Sequence, residues 1–107
     1  MGYGFIQKSA KLQGTTVAST TLTFAAPGQG KYNCINAVAV EVNAAALLTI
    51  ESPSGTVLFQ VNISAGAGFE KTWEECEPIR GAENSALLVK LSAGTTYSIN
   101  ASGFVTP

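Results

Sequence analysis

The sequence predicts an all-β fold, an antiparallel sandwich of two sheets with seven or eight strands. Several segments alternate apolar and polar residues with period two, which puts one face of each strand in a core and the other in water. Turn-forming residues separate these segments about every 8 to 12 positions, a spacing typical of two-sheet sandwiches. No stretch of about ten residues has a helical period, so no helix is predicted.

The clearest alternation is a hairpin over residues 47–63. Its apolar residues are Leu48 and Ile50 on the first strand, then Val57, Phe59, Val61 and Ile63 on the second. Its polar residues are Thr49 and Glu51, then Gln60 and Asn62, all expected to face water. Between the strands, Pro53 presets φ for a turn and Gly55 can adopt the left-handed conformation that closes it.

The remaining elements follow in chain order. Residues 1–14 have no sustained period and predict an N-terminal arm, with Tyr3, Phe5 and Ile6 as apolar anchors for a partner. The alternative is that this segment forms the first edge strand of the sandwich. Further β segments are expected at 15–24, 32–42, 69–74, 86–91 and 95–105. The region 76–84 is expected to be an irregular crossing, because Pro78 cannot donate to a central ladder.

The same alternation predicts which side chains form the core. They are Val38, Val40, Ile50, Phe59, Val61, Val89 and Ile99. A chain of 107 residues fits one domain, which we place at residues 15–107.

Composition narrows the class of partner. Charged residues make up 12% of the chain, about half the usual share of roughly 25%. Such a surface suits association with other protein, and homo-oligomerisation is predicted. With a net charge of −1, the chain lacks the broad basic surface of a nucleic-acid binder.

No signal peptide or apolar run that could span a membrane is visible in the sequence. Synthesis in a cytoplasm and no membrane partner are therefore expected.

No constellation for catalysis is visible. The chain has no histidine and no aspartate, so it cannot form a Ser-His-Asp or Cys-His nucleophile system. Glu74 and Glu77 could be imagined as the carboxylate pair of a glycosidase, but the chain is short for a cleft-bearing sandwich. We expect no enzymatic activity, no cofactor and no metal site.

Two residue groups have a structural and a functional interpretation. Cys34 and Cys76 are expected to be free, buried thiols, and a disulfide needs their Cα atoms within about 7 Å. Trp73, Tyr97, Tyr32 and Phe69 could form a sugar-stacking platform. Burial of Trp73 in a core or subunit interface is the favoured interpretation, since aromatic residues close small sandwiches.

The C-terminal two thirds of the chain resembles small structural proteins of tailed bacteriophages. In that group a Gly-Thr-Val-Leu turn and strand is followed by a proline-containing link, an Ala-Leu-x-Val strand and a closing strand that ends in Gly-Phe or Gly-Tyr. The matching positions are 55–58, Pro78, 86–89 and 100–104.

The resemblance implies a jelly-roll or tumour-necrosis-factor-like sandwich, usually a homotrimer. It also implies a capsid decoration (cement) protein on the virion exterior, bound to the major capsid protein. A ligand- or carbohydrate-binding module of a fibre, and a tail or neck component of the same particle, remain alternatives.

Overall fold

A computed structural model describes residues 10–16, 21–74, 77–92 and 97–107 of the chain; for residues 10–16 and 97 it describes the backbone only. These ranges contain no helix, and hence none that could span a membrane. The strands are β1 (Ala10–Thr16), β2 (Thr21–Phe24), β3 (Tyr32–Val42), β4 (Ala46–Glu51), β5 (Val57–Ile63), β6 (Gly68–Thr72), β7 (Ile79–Arg80), β8 (Leu87–Leu91) and β9 (Tyr97–Thr106).

The strands form two antiparallel sheets. Sheet A has the order β1-β9-β3-β6, with the two-residue β7 also paired to β3, and sheet B has the order β2-β8-β4-β5. The pairings β1 with β9, β2 with β8, β3 with β6 and β4 with β5 are nested. One long antiparallel hairpin rolled into two sheets produces this nesting, which is the jelly-roll arrangement. The predicted sandwich is therefore confirmed, with eight strands besides β7 in the described ranges.

The core lies between the inner faces of the sheets. Five of the seven predicted core residues are buried, namely Val38, Val40, Ile50, Val89 and Ile99. The other two, Phe59 and Val61, pack against this core but are only partly buried, because β5 is an edge strand of sheet B.

The N-terminal part of the chain differs from the prediction. Ala10–Thr16 is an edge strand paired with β9, so residues 10–14, assigned to the arm, lie in the sandwich, as the edge-strand alternative expected. The segment 15–24, predicted as one β region, is divided between β1 of sheet A and β2 of sheet B. Alternation shows that a segment is β but not which sheet it joins. The anchors Tyr3, Phe5 and Ile6 lie outside the described residues.

The region 76–84 is less irregular than expected. It contains β7, whose Ile79 and Arg80 pair with Ile35 and Cys34. Pro78 precedes this short strand and therefore donates to no ladder.

Candidate interaction surfaces

The turn of the β4–β5 hairpin is organised by Glu51. Its carboxylate accepts hydrogen bonds from the Gly55 N–H at 2.8 Å and the Thr49 hydroxyl at 3.2 Å. Lys90 of β8 lies 3.4 Å from the same carboxylate. Glu51 was expected to face water but is 6% exposed, because the register of β4 and β5 shifts at this position and the turn folds over the side chain. Gly55 has φ +95°, which confirms the predicted left-handed residue.

These contacts stabilise the charged form of Glu51. The Gly55 N–H lowers its pKa most; burial acts against this, and Thr49 and Lys90 lower it further. A carboxyl group with a lowered folded-state pKa stabilises the fold above its ordinary pKa, and that contribution disappears as the pH falls through the lowered value.

We therefore expect Glu51→Gln to destabilise the fold by about 1 to 2 kcal/mol at pH 7, since the charged acceptor is lost. The difference from the unmodified chain should shrink as the pH is lowered below about 4. Urea titrations at several pH values measure both effects. Glu70→Gln, at an exposed position of β6, is the matched control and should change the free energy of unfolding little. Equal effects of the two substitutions would contradict the role of Glu51.

An aromatic cluster closes the sandwich where β5 and β6 lie at the edges of their sheets. The Phe59 ring meets the Trp73 ring edge to face, with centroids 5.3 Å apart, and lies 6.1 Å from Phe69. The Lys71 ammonium lies 5.5 Å from the centre of the Trp73 ring. Trp73 packs against the core while remaining partly exposed, as the structural interpretation of this residue expects.

The predicted sugar-binding aromatics do not gather into one platform. Phe69 is paired with Val40 and points towards the core. Tyr32 lies on the outer face of β3, the same face as Cys34 two residues later. Its ring is covered by the Arg80 guanidinium at 3.8 Å. The side chain of Tyr97 is not among the described ones.

The outer face of sheet A has a buried patch at one end. Cys34, Phe104 and Thr106 point away from the core, yet they are only 1%, 2% and 6% exposed. Cys34 is a free thiol, as predicted, and its Sγ lies 3.8 Å from the Thr106 hydroxyl. Burial raises the pKa of Cys34, with Thr106 and Arg80 acting in the opposite direction, so its thiol form is favoured. Cys76 lies outside the described residues.

The other end of this face has two adjoining open depressions of mixed lining. Glu41, Gly68 and Ser98 line adjoining depressions of about 460 and 430 Å³. Glu41 and Glu70 give this part of sheet A a negative character.

Sheet B presents a surface of a different kind, which we call the neutral face. It consists of the outward-facing residues Thr21, Thr23, Leu47, Thr49, Gln60, Asn62, Leu88 and Lys90, with Glu51 beneath the turn. Glu51 and Lys90 are the two charged residues in the four strands of this sheet, and they form an ion pair. Leu47 and Leu88 are half-buried. The face therefore combines apolar and uncharged polar groups, and its net charge is zero because its two charged residues have opposite signs.

A polar network joins the loops at one end of the sandwich. Asn33, 1% exposed, donates from Nδ2 to the carbonyls of Phe24, Ala25 and Ser85 at 3.5, 2.9 and 3.3 Å. The Ser52 hydroxyl donates to the Ala86 carbonyl at 2.8 Å. Strand alternation gives no signal for this network, because its acceptors are backbone carbonyls at the end of β2 and in loops.

The same loops are joined nearer the surface. The N–H of Gly28 donates to Asn84 Oδ1 at 3.0 Å, and the N–H of Gly30 donates to Glu83 Oε2 at 2.6 Å. Glu83 therefore fixes the loop before β3.

Two further kinds of chemical site were considered from the sequence, a pair of catalytic carboxylates and a metal site. Glu74 and Glu77 are exposed, and the Glu77 N–H donates to the Glu74 carbonyl at 2.9 Å, so the two residues do not face each other across a cleft. Within the described ranges, no three side chains of His, Cys, Asp or Glu are placed to hold a metal ion.

No protein-family model matches the chain, and no curated protein matches it significantly. These comparisons add no support to the resemblance to phage decoration proteins.

Proposed function

We propose that the chain is a non-enzymatic structural protein of a bacteriophage virion that binds the capsid exterior and stabilises the shell. The observation that carries this proposal is the neutral face of sheet B, together with the sequence resemblance to decoration proteins. In the resembling group the protein is usually a trimer, and we propose a homo-oligomer of this kind for the chain.

The neutral face suits attachment to protein. Interfaces between proteins are depleted in charged residues at their centre, and the two charges of sheet B already neutralise each other. Half-buried Leu47 and Leu88 add apolar area that a partner can bury. The outer face of sheet A carries Glu41 and Glu70 and is a poorer candidate.

Shell stabilisation follows from binding alone. A protein that binds only the assembled lattice stabilises that state by its binding free energy. An oligomer that contacts several capsid subunits multiplies weak contacts through effective concentration. Neither step needs a catalytic group or a bound cofactor.

The alternative, a ligand- or carbohydrate-binding module of a fibre or tail component, has less support. Trp73 packs on Phe59, and the Tyr32 ring lies under Arg80. A stacking platform needs accessible ring faces on one surface, and these two rings lie on different faces of sheet A.

The test is attachment to purified capsids of the parent phage that lack this protein. Leu47→Lys places one positive charge on the neutral face, and we expect it to weaken attachment tenfold or more, about 1.4 kcal/mol. Thr72→Lys, at an exposed position of β6, places the same charge outside that face and should bind as the unmodified chain does. Co-sedimentation over a range of protein concentrations measures the dissociation constants.

Two results would overturn the proposal. Failure of the unmodified, folded chain to bind capsids would contradict the function itself. Equal attachment of Leu47→Lys and Thr72→Lys, with both variants folded, would contradict the assignment to the neutral face. Thermal unfolding of each variant establishes that it is folded.

A further inference from the structure

Strand β5 is an unprotected edge. It ends the strand order of sheet B, so its outer backbone groups pair with no described strand. Its sequence, Val-Leu-Phe-Gln-Val-Asn-Ile, contains no charged residue and no proline. Charges, prolines and shortness are the usual means by which proteins prevent edge strands from pairing with other chains.

The other edge strands have such protection. In sheet A, β6 carries Glu70 and Lys71, and β1 contains Lys11. The opposite edge of sheet B is β2, which is only 4 residues long. Strand β5 has 7 residues and is rich in β-forming types. Among the edge strands that the structure describes, it is therefore the one without such protection.

Apolar side chains also remain accessible at this edge. Val57 is 48% exposed, and in the described part of the chain it is the one large hydrophobic side chain that is this accessible. Phe59 and Val61 are partly buried, whereas Leu48 and Ile50, their neighbours on β4, are 0% exposed. A strand added alongside 59–63 would bury the parts of Phe59 and Val61 that β5 leaves accessible.

We propose that β5 pairs antiparallel with β5 of a second copy, which joins the two B sheets into one continuous sheet. A second copy is the occupant that the composition favours, because an uncharged strand meets its own copy without like-charge repulsion. The contact is isologous, with the same strand on both sides of a two-fold axis. In a trimeric particle it would link one trimer to the next.

The structure also sets the register of this pairing. The β4–β5 ladder shifts near Val57, and the regular part of β5 is 59–63, centred on Val61. A two-fold axis at Val61 places Gln60 opposite Asn62 of the partner subunit. Both are exposed, and their amides can exchange hydrogen bonds. On the inner face, Phe59 then meets Ile63 of the partner subunit, an aromatic–β-branched pair.

Cysteine cross-linking tests the contact and its register in the full chain. Gln60→Cys and Asn62→Cys are made separately, each with Cys76→Ser, and one carries a tag that changes its mass. Opposed residues have Cα atoms about 4.5 to 5.5 Å apart, within disulfide reach. The same residue in the two copies lies on a diagonal, about 7 to 8 Å apart. On mixing under mild oxidation, we expect the mixed dimer to exceed either homodimer by about tenfold.

Sedimentation equilibrium of chains without cysteine substitutions gives an independent measurement. Gln60→Lys combined with Asn62→Lys puts like charges directly opposite each other and should lower self-association at least tenfold. The matched control, Glu70→Lys with Thr72→Lys on β6, should leave it unchanged. A chain that stays monomeric at hundreds of micromolar, or equal amounts of mixed and homodimeric disulfides, overturns the proposal. Neither result bears on capsid attachment, which Leu47→Lys tests, so failure of this contact is distinguishable from failure of the proposed capsid binding.

Discussion

Gly103→Ala is expected to leave little folded protein at physiological temperature. Gly103 lies on β9 opposite Ile35, next to the register shift of the β3–β9 pair. A Cβ atom here would overlap the carbonyl oxygen of Cys34, and it would lie 2.8 Å from the Cys34 carbonyl carbon and 2.9 Å from the Ile35 Cα. All three are backbone atoms, so no side-chain rotation relieves the overlap, and the two central strands of sheet A must separate.

We expect the substitution to cost more than about 3 kcal/mol, above the usual range of about 1 to 3 kcal/mol for overpacking, because the overlap is with backbone atoms. That is a large share of the roughly 5 to 15 kcal/mol that stabilises a domain. Urea unfolding and the yield of soluble protein measure the effect. Gly68→Ala is the control, because its Cβ would lie 3.4 Å from the nearest atom; the change there should stay within about 1 kcal/mol. A Gly103→Ala variant as stable as Gly68→Ala would contradict the close approach of β3 and β9.

The second large effect is expected for Asn33→Asp. The substitution keeps the size of the side chain but replaces the Nδ2 donor, which serves the Phe24, Ala25 and Ser85 carbonyls, with a carboxylate oxygen at pH 7. A buried negative charge then faces three acceptors with no donor between them. An uncompensated buried charge typically costs about 3 to 5 kcal/mol, so we expect a loss of at least about 3 kcal/mol.

Asn62→Asp provides the same chemical change at an exposed position of β5 and should alter stability by no more than about 0.5 kcal/mol. Thermal and urea unfolding of both variants at pH 7 give the comparison. If Asn33→Asp were as stable as Asn62→Asp, the donor of Asn33 would not be needed to hold the loops before β3 and β8.

The hairpin and the long central strand could be predicted from sequence. The ranges expected for β3 and β5 match Tyr32–Val42 and Val57–Ile63, and Gly55 has the expected positive φ. Period-two alternation and turn chemistry act over a few neighbouring residues. Such features are visible without knowing which strands pair.

The sequence predicted that Trp73 is a packing residue, but it did not predict where on the molecule the candidate surfaces lie. Trp73 was expected to pack in a core or an interface, and it packs on Phe59 across the opening between the sheets. The neutral face was not predicted, because it depends on β2, β8, β4 and β5 lying side by side. The pairing of Glu51 with Lys90 joins residues from two of those strands.

The sequence by itself determined that the chain is an antiparallel sandwich, which residues of its regular strands face the core, and where its main hairpin turns. Only the tertiary structure decided that Ala10–Thr16 joins sheet A while β2 joins sheet B, that Glu51 is buried, and that Gly103 has no space for a side chain. The physical reason is that alternation records which side of a strand is apolar. Sheet membership, burial at a turn and the approach of two backbones depend instead on the register of strands distant in sequence.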